Sequence, residues 1–210
     1  MNRLVRHKSV YFIIAYFILL GAVIFLLYSR YATLTESYTQ GHVREFDQRM
    51  QSYQLMQEQI MDSYYELFFN SSQVTNIMQE AAHSDPARQA FFRHELMGRL
   101  QEAFGSLQRL NVRLLFFHLP EQIAFLRMHE PEKFGDSLSV SRPSIVEVQT
   151  QQKKLIVFET GKLFNGFRSI YPLFYHDSFV GSVEIAYPFL ALKKQAIRES
   201  SGAYTFLVKR

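Results

Sequence analysis

The chain begins with an uninterrupted apolar segment. Residues 10–28 (VYFIIAYFILLGAVIFLLY) carry no charged side chain, and Arg3, Arg6 and Lys8 precede them. As a helix rising about 1.5 Å per residue, the segment is about 28 Å long, close to the ~30 Å hydrocarbon core of a bilayer. Basic residues beside a membrane helix mark its cytoplasmic end. The pattern predicts one membrane-spanning helix, with the N-terminus in the cytoplasm and everything after residue 30 on the far side.

A cleaved signal peptide is the alternative interpretation of this segment. Signal peptides have an apolar region of about 7–15 residues followed by a small-x-small cleavage site. The segment here is longer, and no such site follows it. We therefore interpret it as an uncleaved membrane anchor.

After the anchor, apolar residues recur at alternating spacings of four and three up to about Asn70. This heptad spacing is typical of a helix with one buried stripe. The stripe consists of Phe46, Met50, Tyr53, Gln57, Ile60, Tyr64 and Leu67, of which Gln57 is the one polar member. It fits two arrangements equally, packing on the sheet of the same chain or forming the seam of a parallel homodimer.

A second helix is predicted to start at Pro86. Asp85 is a capping residue directly before a proline at the first helical position. The helix continues to about Arg109, so residues 31–109 form a long helix and a helical cap. Its apolar stripe consists of Phe91, Leu96, Leu100, Phe104 and Leu107.

Beyond Leu110 the period becomes that of strands. Strands are predicted at 112–119, 123–129, 155–160, 167–174 and 179–187, with a short helix at 143–152 between the second and third. His176-Asp177 forms a tight turn between the last two strands. The fold class is α+β, with a five-stranded antiparallel sheet in the element order of a PAS-like module. An exit helix at 188–200 and a new strand at 202–209 follow.

Charge and composition exclude several classes of function. Residues 1–30 hold four of the 23 Lys and Arg and no acid, which leaves 19 bases against 19 acids in the remainder. No nucleic-acid partner is therefore expected. The absence of cysteine excludes disulfides, thiolate zinc sites and a cysteine nucleophile.

The second predicted strand carries candidate binding residues. Side chains alternate across a strand, so Phe125, Arg127 and His129 should share one face, beside the polar loop 130–142. Arg127 or Arg142 is suited to bind a carboxylate through two parallel hydrogen bonds, and His129 adds a donor or a pH-dependent charge.

Acidic residues inside apolar strands offer a structural alternative. Glu159 and Glu184 each need a partner if they are buried, and Arg127, Arg142 or Arg168 can supply it. In that case the arginines are consumed by ion pairs within the chain.

Neither a metal site nor catalysis is predicted. His118, His129, His176 and Asp136 lack the close spacing of metal ligands. No nucleophile elbow, phosphate-binding glycine loop or H-E-x-x-H motif occurs. We expect no cofactor, and no enzyme within these 210 residues.

Three segments together resemble the membrane-distal half of the bacterial double Cache sensor family. They are FHLPEQIAFLRMHEPEKFGDSLSVSRP, FETGKLFNGFRSIYPLFY and VGSVEIAY. The matching positions are Phe125, Leu126, Arg127, His129, Pro131, Gly135, Asp136, Leu138, Ser139, Arg142, Pro143, Glu159, Gly161, Gly166, Arg168, Pro172, Gly181, Ser182 and Glu184. Two positions depart from the family pattern, Ser137 in place of a second Asp and Phe158 in place of Gly.

The resemblance implies a periplasmic sensor of an inner-membrane receptor with a histidine kinase, diguanylate cyclase or methyl-accepting output. It implies two PAS-like modules stacked on one long helix. The chain would then hold an anchor (1–30), the long helix and cap (31–109), the membrane-distal module (110–187), and the exit helix and first strand of a truncated second module (188–210).

The predicted ligand is small, polar and anionic. The candidate site residues are Phe125, Arg127, His129, Asp136, Arg142 and Arg168. The expected partners are this ligand, the membrane and a second copy of the chain. The alternative function is a structural or protein-interaction module that has no small-molecule ligand.

The predicted topology can be tested with reporter fusions. Reporters placed after Arg30 and after Arg210 should both show an exported location, because one apolar segment with a basic N-terminal flank precedes both positions. A cytoplasmic signal at either position would contradict the topology.

Overall fold

In the computed structural model, residues 2–161 and 164–198 are described. The helices are α1 (Asn2–Tyr64), α2 (Ser72–Ala82), α3 (Pro86–Arg109), α4 (Pro143–Gln151) and α5 (Phe189–Arg198), with a π-helical turn at Tyr65–Phe69 and a 3-10 turn at Pro120–Gln122. The strands are β1 (Leu114–Leu119), β2 (Ile123–Arg127), β3 (Leu155–Thr160), β4 (Asn165–Tyr175) and β5 (Ser178–Pro188). The predicted α+β class is confirmed. The predicted strand at 202–209 lies outside the described residues.

The chain divides into two compact units, Met1–Arg49 and Met50–Arg210. The first unit is helical, and α1 is long and apolar enough in its N-terminal part to cross a membrane, by length and composition. The second unit contains the strands and the remaining helices.

The five strands of the described chain form one antiparallel sheet in the order β2-β1-β5-β4-β3. The last strand, β5, therefore occupies the centre. The predicted turn between β4 and β5 is confirmed, since His176 and Asp177 have φ values of 45° and 64°. Two successive residues with positive φ match the twist of a two-residue hairpin.

Each face of the sheet has its own hydrophobic core. The larger core, on the face covered by the end of α1 and by α2 and α3, includes Met61, Phe69, Met78, Leu96, Phe117, Leu126, Tyr171 and Ile185. The smaller core, on the face covered by α4, consists of Leu114, Phe116, Ala124, Leu138, Ile145, Val148, Ile170 and Ala186. Opposite faces of the same strands thus contact different helices, as the alternation of strand side chains requires.

The prediction that the buried stripe extends to Leu67 is wrong, because the helix changes from α-helical to π-helical at Tyr65. Leu67 is 70% exposed, whereas Phe69 is fully buried. In the turn Tyr65–Phe69, hydrogen bonds span five residues, as from the Asn70 N–H to the Tyr65 carbonyl at 2.8 Å. The extra residue in the turn rotates the following side chains away from the heptad positions.

The stripe packs at least partly on its own domain. Met61 belongs to the larger core, and Ile60 and Tyr64 pack against it. The homodimer seam stays a prediction.

In α3, the Asp85 carboxylate accepts hydrogen bonds from the Ala87 and Arg88 N–H groups, which confirms the predicted cap. Phe91 was expected in the buried stripe of α3, but it is 64% exposed.

A β-bulge in β2 overturns the predicted face of Phe125. Leu126 pairs with Phe117 and Ala124 pairs with His118, so Phe125 is an extra residue between them. The bulge places Phe125 in the larger core with Leu126. A bulge shifts the alternation by one residue, so Phe125 does not share a face with Arg127.

The π-helical turn can be tested by two neighbouring substitutions. Phe69→Ala should lower the free energy of unfolding by about 3–5 kcal/mol, because it empties a fully buried aromatic position. Leu67→Ala should change it by less than about 0.5 kcal/mol, as at other exposed positions. Denaturant unfolding of the detergent-solubilised chain measures both. Equal losses would show that the helix keeps its α-helical register there.

Candidate functional site

Two arginines and two glutamates lie together on the face of the sheet that carries the smaller core. Arg142 directly precedes α4, Glu159 lies in β3, Arg168 in β4 and Glu184 in β5. We call these four residues the charge cluster. Glu184 pairs in register with Phe116 and Ile170, and Arg168 with Ala186, which are members of the smaller core.

Glu184 is the centre of the charge cluster and has no exposed surface. Arg142 Nη2 donates to both oxygens of Glu184 at 2.8 Å, and Arg168 Nη1 donates to Oε1 at 2.6 Å. Burial alone would raise the pKa of the Glu184 carboxyl, but the two guanidinium groups outweigh it and hold the pKa below its ordinary value. Glu184 is therefore ionised at neutral pH.

Glu159 is held less closely in the same cluster. Its Oε2 lies 3.3 Å from Arg142 Nη2 and 3.1 Å from Arg168 Nε, and its side chain is 21% exposed. The cluster thus balances two cations with two carboxylates, one buried with short contacts and one at the edge with longer contacts. The predicted need of Glu159 and Glu184 for arginine partners is confirmed.

Several polar atoms around the charge cluster lack hydrogen-bond partners among the described residues. They are Arg142 Nε, His118 Nε2 and Ser144 Oγ, together with Arg168 Nε, which has its 3.1 Å ion-pair contact with Glu159 Oε2 but no hydrogen bond. The two guanidinium Nε–H groups are donors, and buried donors are normally satisfied. The cluster therefore retains capacity to donate hydrogen bonds to acceptor oxygens.

A histidine in β1 adjoins the cluster. His118 Nδ1 lies 3.0 Å from Ser182 Oγ in β5, and its Nε2 lies 3.9 Å from Glu184 Oε2. Burial lowers the pKa of His118 to about 3, although Glu184 acts in the opposite direction. His118 is therefore neutral at pH 7.

Gln149 ties the C-terminal part of α4 to the same region. Its amide nitrogen donates to Ser182 Oγ at 3.1 Å and to the Leu119 carbonyl at 3.0 Å. Because Arg142 is bound at the other end, α4 is attached to the sheet at both ends.

Arg127 forms a separate ion pair. Its guanidinium donates two parallel hydrogen bonds of 2.8 Å to Asp136 and one of 2.6 Å to the Lys133 carbonyl, and it lies over the Phe116 ring. This pair fastens the loop 128–142 to β2. Arg127 is thus one attachment of the loop, beside the backbone hydrogen bonds that Ala124 forms with Gly135 and Asp136.

A second arginine holds the same loop from α3. Arg93 Nε donates to the Phe125 carbonyl at 2.7 Å, and its guanidinium stacks 3.5 Å from the centre of the Phe134 ring. The bulge in β2 is therefore fixed by a side chain from the helical layer.

The six candidate site residues are divided among several contacts, and the charges of Arg127, Arg168 and Glu184 all act on His129. Arg142 and Arg168 lie in the charge cluster, and Arg127 and Asp136 form their own pair. Phe125 faces the larger core. His129 lies beyond the end of β2, half-buried, and burial lowers its pKa.

Three residues near the cluster were missed as site residues: His118, Gln149 and Ser182. A histidine within an apolar strand was the available signal for His118, but its partners come from β5, 64 residues later. Among the described residues no group of three His, Asp or Glu side chains could hold a metal ion.

Two glycines of the matching pattern have a steric role beside these residues. A Cβ at Gly161 would collide with Arg168 Nη2, and one at Gly181 would collide with the His118 carbonyl. Gly181 also has a φ of +137°, which L side chains rarely adopt. Both positions let the backbone approach the residues around the charge cluster.

The chain belongs to a double Cache family. Residues 52–208 match the family model described as the double sensory domain of two-component sensor kinase. The predicted resemblance is thus confirmed, and the family is one of sensory domains. A comparison with curated proteins finds no match.

Solved structures of sensor domains are similar to this chain, and the first of them shares its fold. The V. cholerae histidine kinase DctB sensor domain is 13% identical, with a TM-score of 0.57 over 79% of this chain and 61% of that one. The E. coli DcuS sensor domain is 12% identical, with a TM-score of 0.45 over 64% and 89%. The sensory domain of the Campylobacter jejuni chemoreceptor Tlp3 with isoleucine bound is 11% identical, with a TM-score of 0.48 over 80% and 67%. The chain thus spans about three fifths of the DctB domain.

The buried neutral histidine predicts a loss of stability in mild acid. The unfolded chain titrates His118 near pH 6.5, whereas the folded state keeps it neutral down to about pH 3. The unfolded state therefore binds more protons below pH 6.5, and the free energy of unfolding should fall by about 2 kcal/mol between pH 7 and pH 5. Denaturant unfolding at both pH values measures this loss.

His118→Asn should remove most of this pH dependence, and His94→Asn, at an exposed position, should not change it. Burial also lowers the pKa of His129, so its share of the pH dependence of stability remains in both variants. Glu184 loses stability only below its unfolded pKa near 4.5, outside this range. An unchanged slope in His118→Asn would contradict the assignment.

Proposed function

We propose that this chain is the extracytoplasmic sensory part of a bacterial membrane receptor, anchored by the N-terminal part of α1 with its N-terminus in the cytoplasm. It binds a small anionic ligand at the charge cluster and signals along α1. The observation that carries this proposal is the charge cluster itself, two arginines and two glutamates gathered on one face of the sheet. The output domain is a histidine kinase, in line with the family description.

Energetic cost supports a functional role for the charge cluster. Taking an ion pair out of water costs several kcal/mol per ion, and hydrophobic replacements of buried pairs are often as stable or more stable. The smaller core around the cluster supplies hydrophobic packing that such replacements could join. The stability of the sheet alone therefore does not require a buried charge such as Glu184 in the central strand.

The unequal attachment of the two carboxylates supports an anionic ligand. Glu184 is fully buried, with contacts of 2.6–2.8 Å, whereas Glu159 is partly exposed, with contacts of 3.1–3.3 Å. A ligand carboxylate that replaces Glu159 would meet two guanidinium groups and their Nε donors. Charge-assisted hydrogen bonds of this kind are the strong ones.

The loop 128–142 supports access to this site. It connects β2 to Arg142, and its attachments to the domain include the Arg127–Asp136 pair and the Arg93–Phe134 stack. The Asp136 side chain is 54% exposed. Ordered but surface-exposed attachments suit a loop that opens and closes over a ligand.

The second candidate function is a structural or protein-interaction module without a small-molecule ligand. The observation that favours it is that Arg127, Arg142 and Arg168 each form an ion pair within the chain. Under this alternative, no small molecule should raise the melting temperature.

A thermal-shift screen separates the two candidates. The detergent-solubilised chain is tested against small carboxylates, amino acids and the uncharged amides of the same carboxylates. A ligand that binds only the folded state raises its apparent stability in proportion to occupancy. Stabilisation by carboxylates but not by their amides supports the proposal, and no shift with any compound supports the second candidate.

For a carboxylate found in this screen, Arg142→Ala should weaken binding by about 1.5–3 kcal/mol, the range for a hydrogen bond to a charged group. Arg113→Ala, at an exposed arginine outside the cluster, is the matched control and should leave affinity unchanged. Calorimetric titration measures affinity, and melting curves show whether each variant folds. Unchanged affinity in a folded Arg142→Ala chain would reject the site.

Removing Arg142 also leaves Glu184 with one cation instead of two. Breaking a buried pair costs about 3–5 kcal/mol, so Arg142→Ala will melt at a lower temperature. Arg127→Ala removes the loop attachment but leaves the charge cluster intact. It should weaken binding less than Arg142→Ala does if the ligand contacts the cluster.

A further inference from the structure

We propose that Asp62 of α1 is the positioning residue through which a change at the charge cluster reaches the long helix. Two separate elements, α4 and β4, each connect the cluster to the same carboxylate oxygen of Asp62. The inference rests on the proposed function, because it describes how that site is coupled to α1.

The first connection runs through α4. Arg142 binds the charge cluster at the N-terminus of this helix, and Gln152 ends the helix in a left-handed conformation with a φ of 53°. Lys154 follows two residues later and donates to Glu58 Oε1 at 3.0 Å and to Asp62 Oδ1 at 2.5 Å. Arg142 and Lys154 thus flank the two ends of one short helix, and in this proposal a shift of Arg142 is passed along α4 to Lys154.

The second connection runs through β4. Arg168 belongs to the charge cluster, and Tyr171 lies three residues further along the strand, with its side chain on the opposite face. The Tyr171 hydroxyl donates to Asp62 Oδ1 at 2.8 Å. Its ring stacks on Tyr65, with centres 4.5 Å apart and an interplanar angle of 13°.

The charges on α1 make the contact between Asp62 and Lys154 sensitive to the position of Lys154. Glu58 and Asp62 are four residues apart and therefore neighbours on the helix surface, where like charges destabilise the helix. Lys154 forms an ion pair with each of them and so offsets one of the two negative charges. Loss or displacement of Lys154 would leave two adjacent carboxylates on this turn.

The π-helical turn begins directly after this contact, at Tyr65. The Tyr65 hydroxyl donates to the Pro172 carbonyl in β4 at 2.9 Å, next to Tyr171. A π-helical turn often marks a functional position in a helix. Asp62 thus lies in the last turn of regular α-helix, where β4 and the Lys154 segment both contact α1.

The experiment uses no ligand. Glu159→Gln removes the loosely held carboxylate of the charge cluster and so imitates its displacement. Hydrogen exchange of the backbone amides in Met50–Tyr64 is measured by mass spectrometry on the whole chain in lipid nanodiscs. We expect Glu159→Gln to change these exchange rates by about threefold or more, since local opening reports such coupling.

Variants of the two connections then test the route. In Lys154→Met and Asp62→Asn chains, Glu159→Gln should have less than half of this effect on α1. Lys153→Met, at the exposed neighbouring position, is the matched control and should leave the effect intact. Tyr171→Phe removes only the hydroxyl that contacts Asp62 and should also reduce the effect. This variant provides the test if Lys154→Met or Asp62→Asn fails to fold.

Two results would overturn the proposal: no change in α1 exchange on Glu159→Gln, or the same change in the Lys154→Met, Asp62→Asn and Tyr171→Phe backgrounds. Because no ligand is used, the outcome is independent of the thermal-shift screen. A positive exchange result with a negative screen would reject the ligand but keep the coupling.

Discussion

A carboxylate without access to water lies in the central strand of the sheet, and the α4 face is organised around its neutralisation. Glu184 requires cations within hydrogen-bonding distance, because an isolated buried charge costs many kcal/mol. Arg168 supplies one cation from the neighbouring strand, and Arg142 supplies the other from the start of α4. The position of α4, and with it the end of the loop 128–142, follows from this requirement.

The two faces of the sheet differ in how their contacts depend on geometry. The face toward α1, α2 and α3 is a hydrocarbon core, in which contacts are non-directional and add up with buried area. The opposite face combines a smaller core with hydrogen-bonded charges, whose energy depends on distance and alignment. A small displacement therefore changes the second kind of contact more than the first.

Much of the fold was predictable from local patterns. The strand alternation and the His176-Asp177 turn identified the sheet, and Asp85 before Pro86 identified the start of α3. The errors arose where one residue is inserted into a regular element. The bulge at Phe125 and the π-helical turn Tyr65–Phe69 each shift a periodic pattern, and the residues that contact them, Arg93 and Tyr171, come from distant parts of the chain.

The candidate site was predictable only in its components. The types of the four cluster residues indicated that acids and arginines would need one another, but the sequence alone allowed Arg127 as a partner equally well. The pairing depends on strand order, which brings β5 between β1 and β4. His118, Gln149 and Ser182 meet only because of that order.

The Arg127–Asp136 pair, which fastens the loop 128–142, has a consequence for how the module responds to the salinity of its surroundings. The Asp136 side chain is 54% exposed and the Arg127 side chain 14% exposed, so added salt weakens this pair in part, since its 2.8 Å separation lies well inside the screening length of about 10 Å at 0.1 M salt. The charge cluster beneath α4 is buried and is screened far less. External ionic strength therefore weakens this side-chain attachment of the loop, while its backbone hydrogen bonds to β2 and the buried cluster keep their strength.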